Sequence, residues 1–403
     1  MAELLIRAGS GDAALLRRVY GLDGGPPAAL VPDRIVVDAH VAVAAPGIAT
    51  TAQTAGVPLI VDPQTYFLQD TQHPSFPWTQ LEYGRAAAMS PAELAASDEA
   101  AAMVEDCVRH QLDHGATAVV APYLHLERVT LAGATAQARL WRLTRAYLDE
   151  NHVAVPVIAV IAAGWRAIHP TQGIAQLTGF WDALEALGPD EVAVAASKVN
   201  AGIHPDERLV DLLTLVRQLR SRWPVLLWRQ GILGEAGVAG GARGYETGIG
   251  WNESCHLNQA MAQHRRRTSG HPAARPVYVD ALGRSVPKRT LTALRGHRGL
   301  WQAIVCLDPA CCEPDGMTYL QDSRAHAIAA RARSLDALDA IDGGGWKWNH
   351  LAAKAEKGLV IADRIERLRV GGVGINRIDA KALQAIAVVA GSRRHRRQMG
   401  RTA

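Results

Sequence analysis

The chain has 403 residues, of which 48% are apolar and 20% are charged. This length and composition can bury a large core, and they exclude fibrous, disordered and mini-protein classes. The formal net charge of +4 is too small to establish a polyanionic partner, although Arg greatly outnumbers Lys. Five cysteines, an odd number, favour a reducing compartment over a disulfide framework.

Neither a leader nor a membrane span is expected. Met1 is followed by Glu3 and Arg7 rather than by a basic end and an apolar stretch. No run approaches the roughly 18 apolar residues that a membrane span needs. The sequence therefore predicts a soluble, cytoplasmic protein.

Short apolar runs alternate with amphipathic segments along most of the chain. The amphipathic segments cover residues 99–114, 135–151 and 208–223, with apolar residues three or four positions apart. This alternation predicts repeated βα units around a parallel sheet. The eight predicted strands are residues 34–38, 58–62, 116–122, 155–161, 191–196, 224–228, 276–280 and 303–307.

Eight βα units predict a (β/α)8 TIM-type barrel, whose usual size is about 250 residues before insertions. The alternative is a doubly wound open sheet, which would carry a Gly-rich phosphate turn after its first strand. After Asp38 the chain reads AHVAVAAPG instead, so the barrel is favoured. The chain also lacks a GxxxxGK[ST] pattern, and no nucleotide cofactor is indicated.

The C-terminal part is expected to be helical, at residues 319–341, 351–368 and about 380–389, with a linker at Gly343–Gly345. The predicted domains are the barrel at 1–341, a C-terminal helical extension at 342–390 and a disordered basic tail at 391–403. An Arg-rich tail of this kind is either a solubilising end or a nucleic-acid contact.

Polar residues follow the predicted strands, where a barrel carries its chemistry. Asp38 and His40 follow the first strand, and Asp62 follows the second. An Asp in this position often caps the next helix or closes a turn. Several carboxylates at one barrel mouth would instead shift one another's pKa and so allow acid and nucleophile roles. The other strand-end candidates are Gln64, Tyr66, Tyr123, His125, Ser197, Lys198, Asn200, Arg229, Gln230, Asp280 and Asp308.

Two further segments carry possible binding chemistry. Residues 231–254 are the most Gly-rich part of the chain, and such a loop either lets backbone amides approach a ligand or forms a mobile lid. Cys306, Cys311, Cys312 and His326 offer the ligand types that zinc prefers. Their spacing is not a standard one, and a cysteine is often simply a small buried residue.

Four segments resemble the tRNA-guanine transglycosylase family, which is built on a (β/α)8 barrel. They are DPQTYFLQ at 62–69, TGIGWNE at 247–253, VYVDALGRSVP at 277–287 and GLWQAIVCLDP at 299–309, in the family's order. The resemblance implies Asp308 as the nucleophile of base exchange at an N-glycosidic bond. It also implies that Asp62 is the acid or base-recognising group.

The remaining roles follow from this resemblance and from the strand ends. Asp280 joins the catalytic set. The resemblance implies that the amides of Gly248 and Ile249 contact the base, that Trp251 stacks on it and that Glu253, the last residue of that segment, belongs to the substrate-binding set. The substrate-binding set also contains Gln64, Tyr66, Tyr123, Lys198, Arg229 and Gln230. The implied partner is tRNA or DNA, held by a basic surface such as the Arg-rich tail and Arg265–Arg267.

Two alternatives stay open at this point. Lys198 lies just beyond an apolar strand, where an amine could form a Schiff base in a small-molecule lyase or aldolase. A non-catalytic barrel that binds nucleic acid is the other alternative, since fold does not settle function.

Overall fold

A ring of parallel strands forms the centre of the molecule. The computed structural model describes residues 1–70, 78–85, 87–264, 274–309, 311–313, 317–370, 373–374 and 378–399. The barrel strands are β1 (Glu3–Ala8), β2 (Arg34–Asp38), β3 (Leu59–Asp62), β4 (Val119–Val120), β5 (His125–Leu126), β6 (Val157–Gly164), β7 (Glu191–Ser197), β8 (Val225–Leu227) and β9 (Gly244–Gly248).

Helices cover the outside of this ring. Those between the strands are α1 (Ala13–Val19), α2 (Ala39–Ala44), α3 (Gly47–Ala55), α4 (Pro91–Ala96), α5 (Glu99–Asp113), α6 (Leu131–Glu150), α7 (Thr178–Leu187), α8 (Pro205–Leu219) and α9 (Ile232–Gly240). The elements beyond β9 are α10 (Leu257–His264), β10 (Val277–Val279), β11 (Arg284–Val286), α11 (Lys288–Leu294), α12 (Arg298–Ile304), α13 (Met317–Gln321), α14 (Ser323–Asp339), α15 (Gly344–Glu366), β12 (Arg369–Val370), β13 (Val373–Gly374) and α16 (Lys381–Met399).

The sheet order closes the barrel. The strands run β3-β2-β1-β9-β8-β7-β6-β4, and a parallel bridge between Ile60 and Ala118 joins the two ends. Strands β4 and β5 pair with successive parts of β6 and together occupy one of the eight strand positions of the barrel. The predicted TIM-type barrel with C-terminal helices is therefore confirmed, and the open-sheet alternative is wrong.

Local chemistry explains these elements. Strands β2, β3 and β6 are nearly continuous apolar runs because both of their faces are covered, and all eight residues of β6 are buried. Ser90 and Glu93 form a capping box at the start of α4. Helix α8 begins at Pro205 with Asp206 and Glu207 in its first turn, where the helix dipole favours negative charge.

Two of the eight predicted strands are not barrel strands. Residues 276–280 contribute β10, which pairs antiparallel with β11 in a hairpin outside the barrel. Residues 303–307 include the end of α12, which stops at Ile304. Their places in the barrel are taken by β1 and β9, which the apolar-run pattern missed.

The segment after β9 builds a second, smaller core before the chain returns to the barrel. The hairpin, α11 and α12 pack there with one face of α15, around Val277, Leu291 and Ile361. Helix α14 then packs against β1, α1 and α9. Helix α15 begins at Gly344, within the predicted linker, and α16 continues to Met399, into the predicted tail.

Among the helices with described residues, none has both the length and the apolar character that a bilayer crossing requires. The Arg265–Arg267 cluster and residues 400–403 lie outside the described ranges.

Candidate active site

The guanidinium group of Arg7 lies at the centre of a buried charge cluster near the carboxyl ends of the barrel strands. Its Nε and Nη2 donate to Glu246 on β9 over 2.9 and 3.2 Å. Its Nη1 lies 2.8 Å from Asp62 Oδ2 and also contacts Asp38 Oδ1. The Arg7, Asp62 and Glu246 side chains are at most 2% exposed. We call Arg7, Asp38, Asp62, Arg229 and Glu246 the rim cluster.

Arg229, directly beyond the strand residues of β8, supplies the second cation. Its backbone N–H donates to Glu246 Oε2 over 3.0 Å. Its Nη2 lies 3.4 Å from Asp38 Oδ1 and 3.9 Å from Asp62 Oδ2, which are longer contacts than those of Arg7. Burial lowers the pKa of Arg229, but the neighbouring negative groups more than offset this and raise it. Arg229 therefore stays charged and holds N–H donors that are not engaged at short range.

Asp38 is the carboxylate of the rim cluster that reaches solvent, with 15% of its side chain exposed. Burial alone would raise the pKa of Asp38, but the charges of Arg7 and Arg229 hold it below its usual value. Burial and the same two arginines lower the pKa of the adjacent His40 despite the opposing effect of Asp38. At neutral pH the pair is thus a carboxylate beside a neutral imidazole.

Several buried polar atoms near Asp38 have no hydrogen-bond partner among the described residues. They include His40 Nδ1, Gln64 Oε1 and the Tyr66 hydroxyl, whereas the Gln64 Nε2 donates to Asp38 Oδ1 over 2.8 Å. An unpaired buried polar atom costs about 1–3 kcal/mol, so such atoms at a barrel rim indicate a place for ligand or water.

Backbone strain also concentrates at this rim. Gln64, Lys198 and Arg229 follow β3, β7 and β8, and each has a positive φ, at 48°, 63° and 58°. A non-glycine residue rarely adopts this conformation, and when it does the surrounding structure must enforce it. Backbone strain at three strand ends is typical of a functional site, where the placement of a side chain is kept at a cost in local stability.

Tyr123 fixes the orientation of Asp62. Its hydroxyl donates to Asp62 Oδ1 over 2.8 Å, and the backbone N–H of Gln64 donates to the same oxygen over 3.1 Å. The Thr65 hydroxyl bridges to the backbone of Tyr123 and so joins the ends of β3 and β4. Asp62 is therefore held rigidly and has no solvent-exposed surface.

Lys198 lies in a neighbouring polar group with Glu127 and His125. Its Nζ is 3.4 Å from Glu127 Oε1, and Glu127 Oε2 is 3.5 Å from His125 Nε2. Burial, together with the charge of Lys198, lowers the pKa of His125 to about 4. The lysine is thus engaged with a carboxylate.

The remaining predicted binding residues lie after β8 and at the end of β9. Gln230 Nε2 donates to the carbonyls of Ala196 and Trp228, which ties β7 to β8. Gly248 ends β9, and Trp251 beyond it is 48% exposed. Ile249 is buried.

Glu253 holds the second core against the barrel. It accepts hydrogen bonds from Ser285 in β11 and from the buried Arg331 of α14. Its contacts are thus structural.

Asp280 and Asp308 do not end barrel strands, contrary to the prediction. Asp280 follows the hairpin strand β10 and lies 3.0 Å from Lys354 Nζ, which also binds Glu235. The Asp308 side chain contacts Arg333, and its carbonyl accepts the amides of Cys311 and Cys312 over 3.1 and 2.8 Å. Asp308 thus belongs to a turn of the second core and not to the rim cluster.

The predicted metal ligands converge. The ligand atoms of Cys306, Cys311, Cys312 and His326 all lie within 4.8 Å of one another. Cys306 Sγ is 3.5 Å from Cys311 Sγ, and Cys312 Sγ is 3.3 Å from His326 Nδ1. Hydrogen bonds from the Cys311 and Cys312 thiols lower the pKa of Cys306, which favours its thiolate. This group could hold a metal ion.

The prediction omitted Arg7, Asp38 and Glu246 from the site residues. Asp38 was recognisable as a strand-end carboxylate but was not selected. Arg7 and Glu246 carry charges within strands β1 and β9, where Leu5 is the register partner of Glu246 and the Arg7 side chain reaches Glu246 diagonally across the pair. A basic residue in ELLIRA and an acidic residue in GYETG, both within short β-type runs, were the available signals.

Comparison with known proteins gives remote matches. No protein-family model and no curated protein matches the chain. Among solved structures, an HpcH/HpaI aldolase from Desulfitobacterium hafniense matches 67% of this chain and 95% of its own at 12% identity, with a TM-score of 0.34. For oxaloacetate acetylhydrolase, the match covers 80% of this chain and 90% of that enzyme's chain, at 15% identity and with a TM-score of 0.35. For a 2,3-dimethylmalate lyase, the match covers 83% of this chain and 94% of that enzyme's chain, at 13% identity and with a TM-score of 0.33.

The predicted family and base-exchange function are corrected by these findings. These matching structures are an aldolase, a hydrolase and a lyase rather than tRNA-guanine transglycosylases. The structure supplies a physical reason, because the implied nucleophile Asp308 lies in the second core, whereas Asp62 lies on the barrel. Likeness this remote carries no argument about the reaction, which must come from the site.

Proposed function

We propose that the chain is a carbon–carbon lyase of the aldolase type that acts on a small 2-oxo acid at the rim cluster. The observation that carries the proposal is the ionised, partly exposed Asp38, whose Oδ1 lies 3.4 Å from the Arg229 guanidinium, near a neutral His40 and near buried polar atoms that lack hydrogen-bond partners among the described residues. A base, a cation and hydrogen-bonding groups are thus available to one small substrate near Asp38.

Asp38 has the properties of a general base. It combines a low pKa with access to solvent, whereas Asp62 and Glu246 have no exposed surface. A base that is ionised at neutral pH can accept a proton when it lies within hydrogen-bond reach of the reacting group.

Arg229 has the properties of the electrophilic group. Arg7 is occupied by three carboxylates, whereas the Arg229 guanidinium makes only contacts of 3.4 Å or longer with them. A fixed cation in a buried site stabilises the negative charge that develops on an enolate oxygen. The planar guanidinium also suits a substrate carboxylate.

The proposed reaction balances without any further reactant. Asp38 accepts the proton of the substrate's 4-hydroxyl group, and the bond between carbons 3 and 4 breaks. Its electrons form an enolate on the 2-oxo acid fragment, whose oxygen is held by Arg229. An aldehyde leaves, and the proton on Asp38 is transferred to carbon 3 of the enolate.

A Schiff-base route through Lys198 has less support. The Lys198 ammonium faces Glu127 at 3.4 Å, and an ammonium engaged by a carboxylate does not attack a carbonyl. Borohydride treatment in the presence of pyruvate is therefore expected to leave no adduct on Lys198.

The first test of this function uses Asp38→Asn. With pyruvate and 2-oxobutanoate in D2O, the wild-type protein should exchange the carbon-3 protons faster than buffer does, with and without added divalent cations. We expect Asp38→Asn to slow exchange at least about 100-fold, the usual range for losing a general base. Proton NMR measures the exchange.

Asp182→Asn is the matched control, because Asp182 is an exposed carboxylate on α7. It should leave the exchange rate unchanged. Wild-type protein that neither exchanges these protons nor cleaves any 4-hydroxy-2-oxo acid would contradict the proposed reaction.

We further propose that the cysteine group binds zinc in a structural site. Bond lengths of about 2.3 Å to sulfur and 2.0–2.1 Å to nitrogen place the ligands of a tetrahedral zinc about 3.5–3.8 Å apart. The Cys311–Cys312 sulfur distance of 3.7 Å agrees with this geometry. His326 Nε2 lies 3.0 Å from the Tyr278 carbonyl, which leaves Nδ1 for the metal.

Zinc removal should destabilise the second core. We expect about one zinc per chain by mass spectrometry of the metal content, and a lower Tm after chelation. Cys312→Ser should lose zinc, whereas Cys107→Ala, which alters a buried thiol on α5, should retain it. Equal zinc content in the two variants would contradict the assignment.

A further inference from the structure

A cavity opens on the same rim of the barrel as the rim cluster, beyond β5 and β6. It has a volume of about 340 Å³ and is lined by Arg128, Val129, Trp165, Arg166, His169 and Gln172. Trp165 follows the last residue of β6, and Arg128 follows β5 by two residues. Since all barrel strands are parallel, this cavity and the rim cluster lie at the same end of the barrel.

The cavity is surrounded by arginines that form no ion pair among the described residues, although Glu207 lies near Arg208 and Asp211 lies near His169. The guanidinium carbons of Arg166 and Arg208 lie 4.5 and 4.0 Å from the centre of the Trp165 ring. In the part of the chain that the structure describes, neither they nor Arg128 forms an ion pair with a carboxylate. The nearby Glu127 already faces Lys198, whose Nζ lies 3.4 Å from Glu127 Oε1.

The arrangement is held in place although its charges repel. Arg208 Nη1 donates to the Lys198 carbonyl over 3.0 Å and also to the Ala201 carbonyl, which fixes it at the start of α8. Burial and the charge of Arg166 lower the pKa of Arg208, while Glu207 opposes this. Cation–π contact with Trp165 offsets part of the repulsion. A bound anion would reduce the remaining electrostatic repulsion between these arginines and so stabilise the cluster.

We propose that this cavity binds the phosphoryl group of a phosphorylated small-molecule substrate. The inference rests on the proposed function and specifies its substrate class. Guanidinium forks bind phosphate oxygens in pairs, and the Gln172 amide and His169 ring add hydrogen-bonding groups. The volume is at the lower end for ligand sites and suits a phosphoryl group with a few carbon atoms. A larger cavity of about 1430 Å³ adjoins it, shares Trp165, His169 and Gln172, and contains Arg208.

The test measures binding by calorimetry on the full chain, with phosphoglycolate and with glycolate as its counterpart without phosphate. We expect phosphoglycolate to bind at least tenfold more tightly than glycolate. Arg166→Gln and Arg128→Gln should each weaken phosphoglycolate binding at least tenfold, because neither side chain holds a loop in place. Arg142→Gln, at an exposed position of α6 outside the cavity, should leave the affinity unchanged.

Three outcomes would overturn the assignment: equal affinities for the two ligands, equal affinities of Arg166→Gln and wild type, or at least tenfold tighter binding of a twenty-residue oligothymidylate than of phosphoglycolate. The last would assign the arginines to a polynucleotide. Asp38→Asn should still bind phosphoglycolate. Wild-type protein that binds phosphoglycolate but exchanges no carbon-3 protons would remove the proposed reaction and leave the phosphoryl site intact.

Discussion

Replacing Arg7 by Met should lower the free energy of unfolding by about 3–5 kcal/mol at pH 7, the range measured when one partner of a buried ion pair is removed. Arg7 contacts Asp38, Asp62 and Glu246, and two of these carboxylates have no exposed surface. Arg229 should replace it only in part, because its guanidinium lies 3.4 Å from Asp38 Oδ1 and 3.9 Å from Asp62 Oδ2, farther than Arg7 does. Urea unfolding measures the loss.

The loss should shrink as the pH falls. In the wild-type protein, burial raises the pKa of Asp38 but Arg7 and Arg229 outweigh it, so the folded-state pKa lies below the unfolded one. That contribution to stability is present above the unfolded pKa and is lost as the pH falls through the folded pKa. Without Arg7, burial and mutual repulsion should raise the carboxylate pKa values above their unfolded values. Protonation should then stabilise the folded state of the variant. The free energies of unfolding of the variant and the wild type should therefore differ less at pH 5 than at pH 7.

Arg7→Lys provides the comparison. It keeps a positive charge but lacks the planar fork that contacts several carboxylates at once. It should therefore be intermediate in stability between the Met variant and wild type. A Met variant as stable as wild type at pH 7 would show that the rim cluster does not depend on this charge.

Gly164→Ala should destabilise the protein by about 3 kcal/mol, at the upper end of the cost of overpacking. A Cβ atom at Gly164 would lie 2.4 Å from the Glu127 carbonyl oxygen and 2.9 Å from its Cα. These are backbone atoms of the segment directly after β5, which pairs with β6, so they cannot move aside as a side chain could. Thermal and urea unfolding measure the change.

Gly179→Ala is the matched control on α7. A Cβ atom at Gly179 would have no described atom within 4 Å, and Ala is the better helix former, so this variant should be slightly more stable than wild type. If Gly164→Ala matched the stability of Gly179→Ala, the close approach of β5 and β6 would not be a constraint.

The barrel could be predicted because its middle strands have a strong signal. Strands β2, β3, β6 and β7 are short apolar runs bounded by polar residues, which is the sequence pattern typical of strands that are buried on both faces. Strand β9 contains two glycines and Glu246, and β1 contains Arg7, so both depart from that pattern. Their charges are tolerated because each is compensated by the other across the β1–β9 pair.

The same reasoning explains which of the predicted residues lie near the rim cluster. Asp62, Gln64, Tyr66, Tyr123 and Arg229 follow correctly predicted strands, and the structure brings them together around the rim cluster. Asp280 and Asp308 follow apolar runs too, but those runs belong to a hairpin and to a helix end. A local pattern does not distinguish a barrel strand from a strand of an inserted subdomain, since only long-range pairing makes the difference.

The position of β1 between β2 and β9 has a consequence for the protein during its synthesis. Until about residue 248 has left the ribosome, β1 and β8 both present unpaired edges, and Arg7 meets Asp38 and Asp62 without Glu246. A nascent chain stopped before residue 244 should therefore be prone to associate through those edges, whereas emergence of the short segment that follows would be enough to seal the ring.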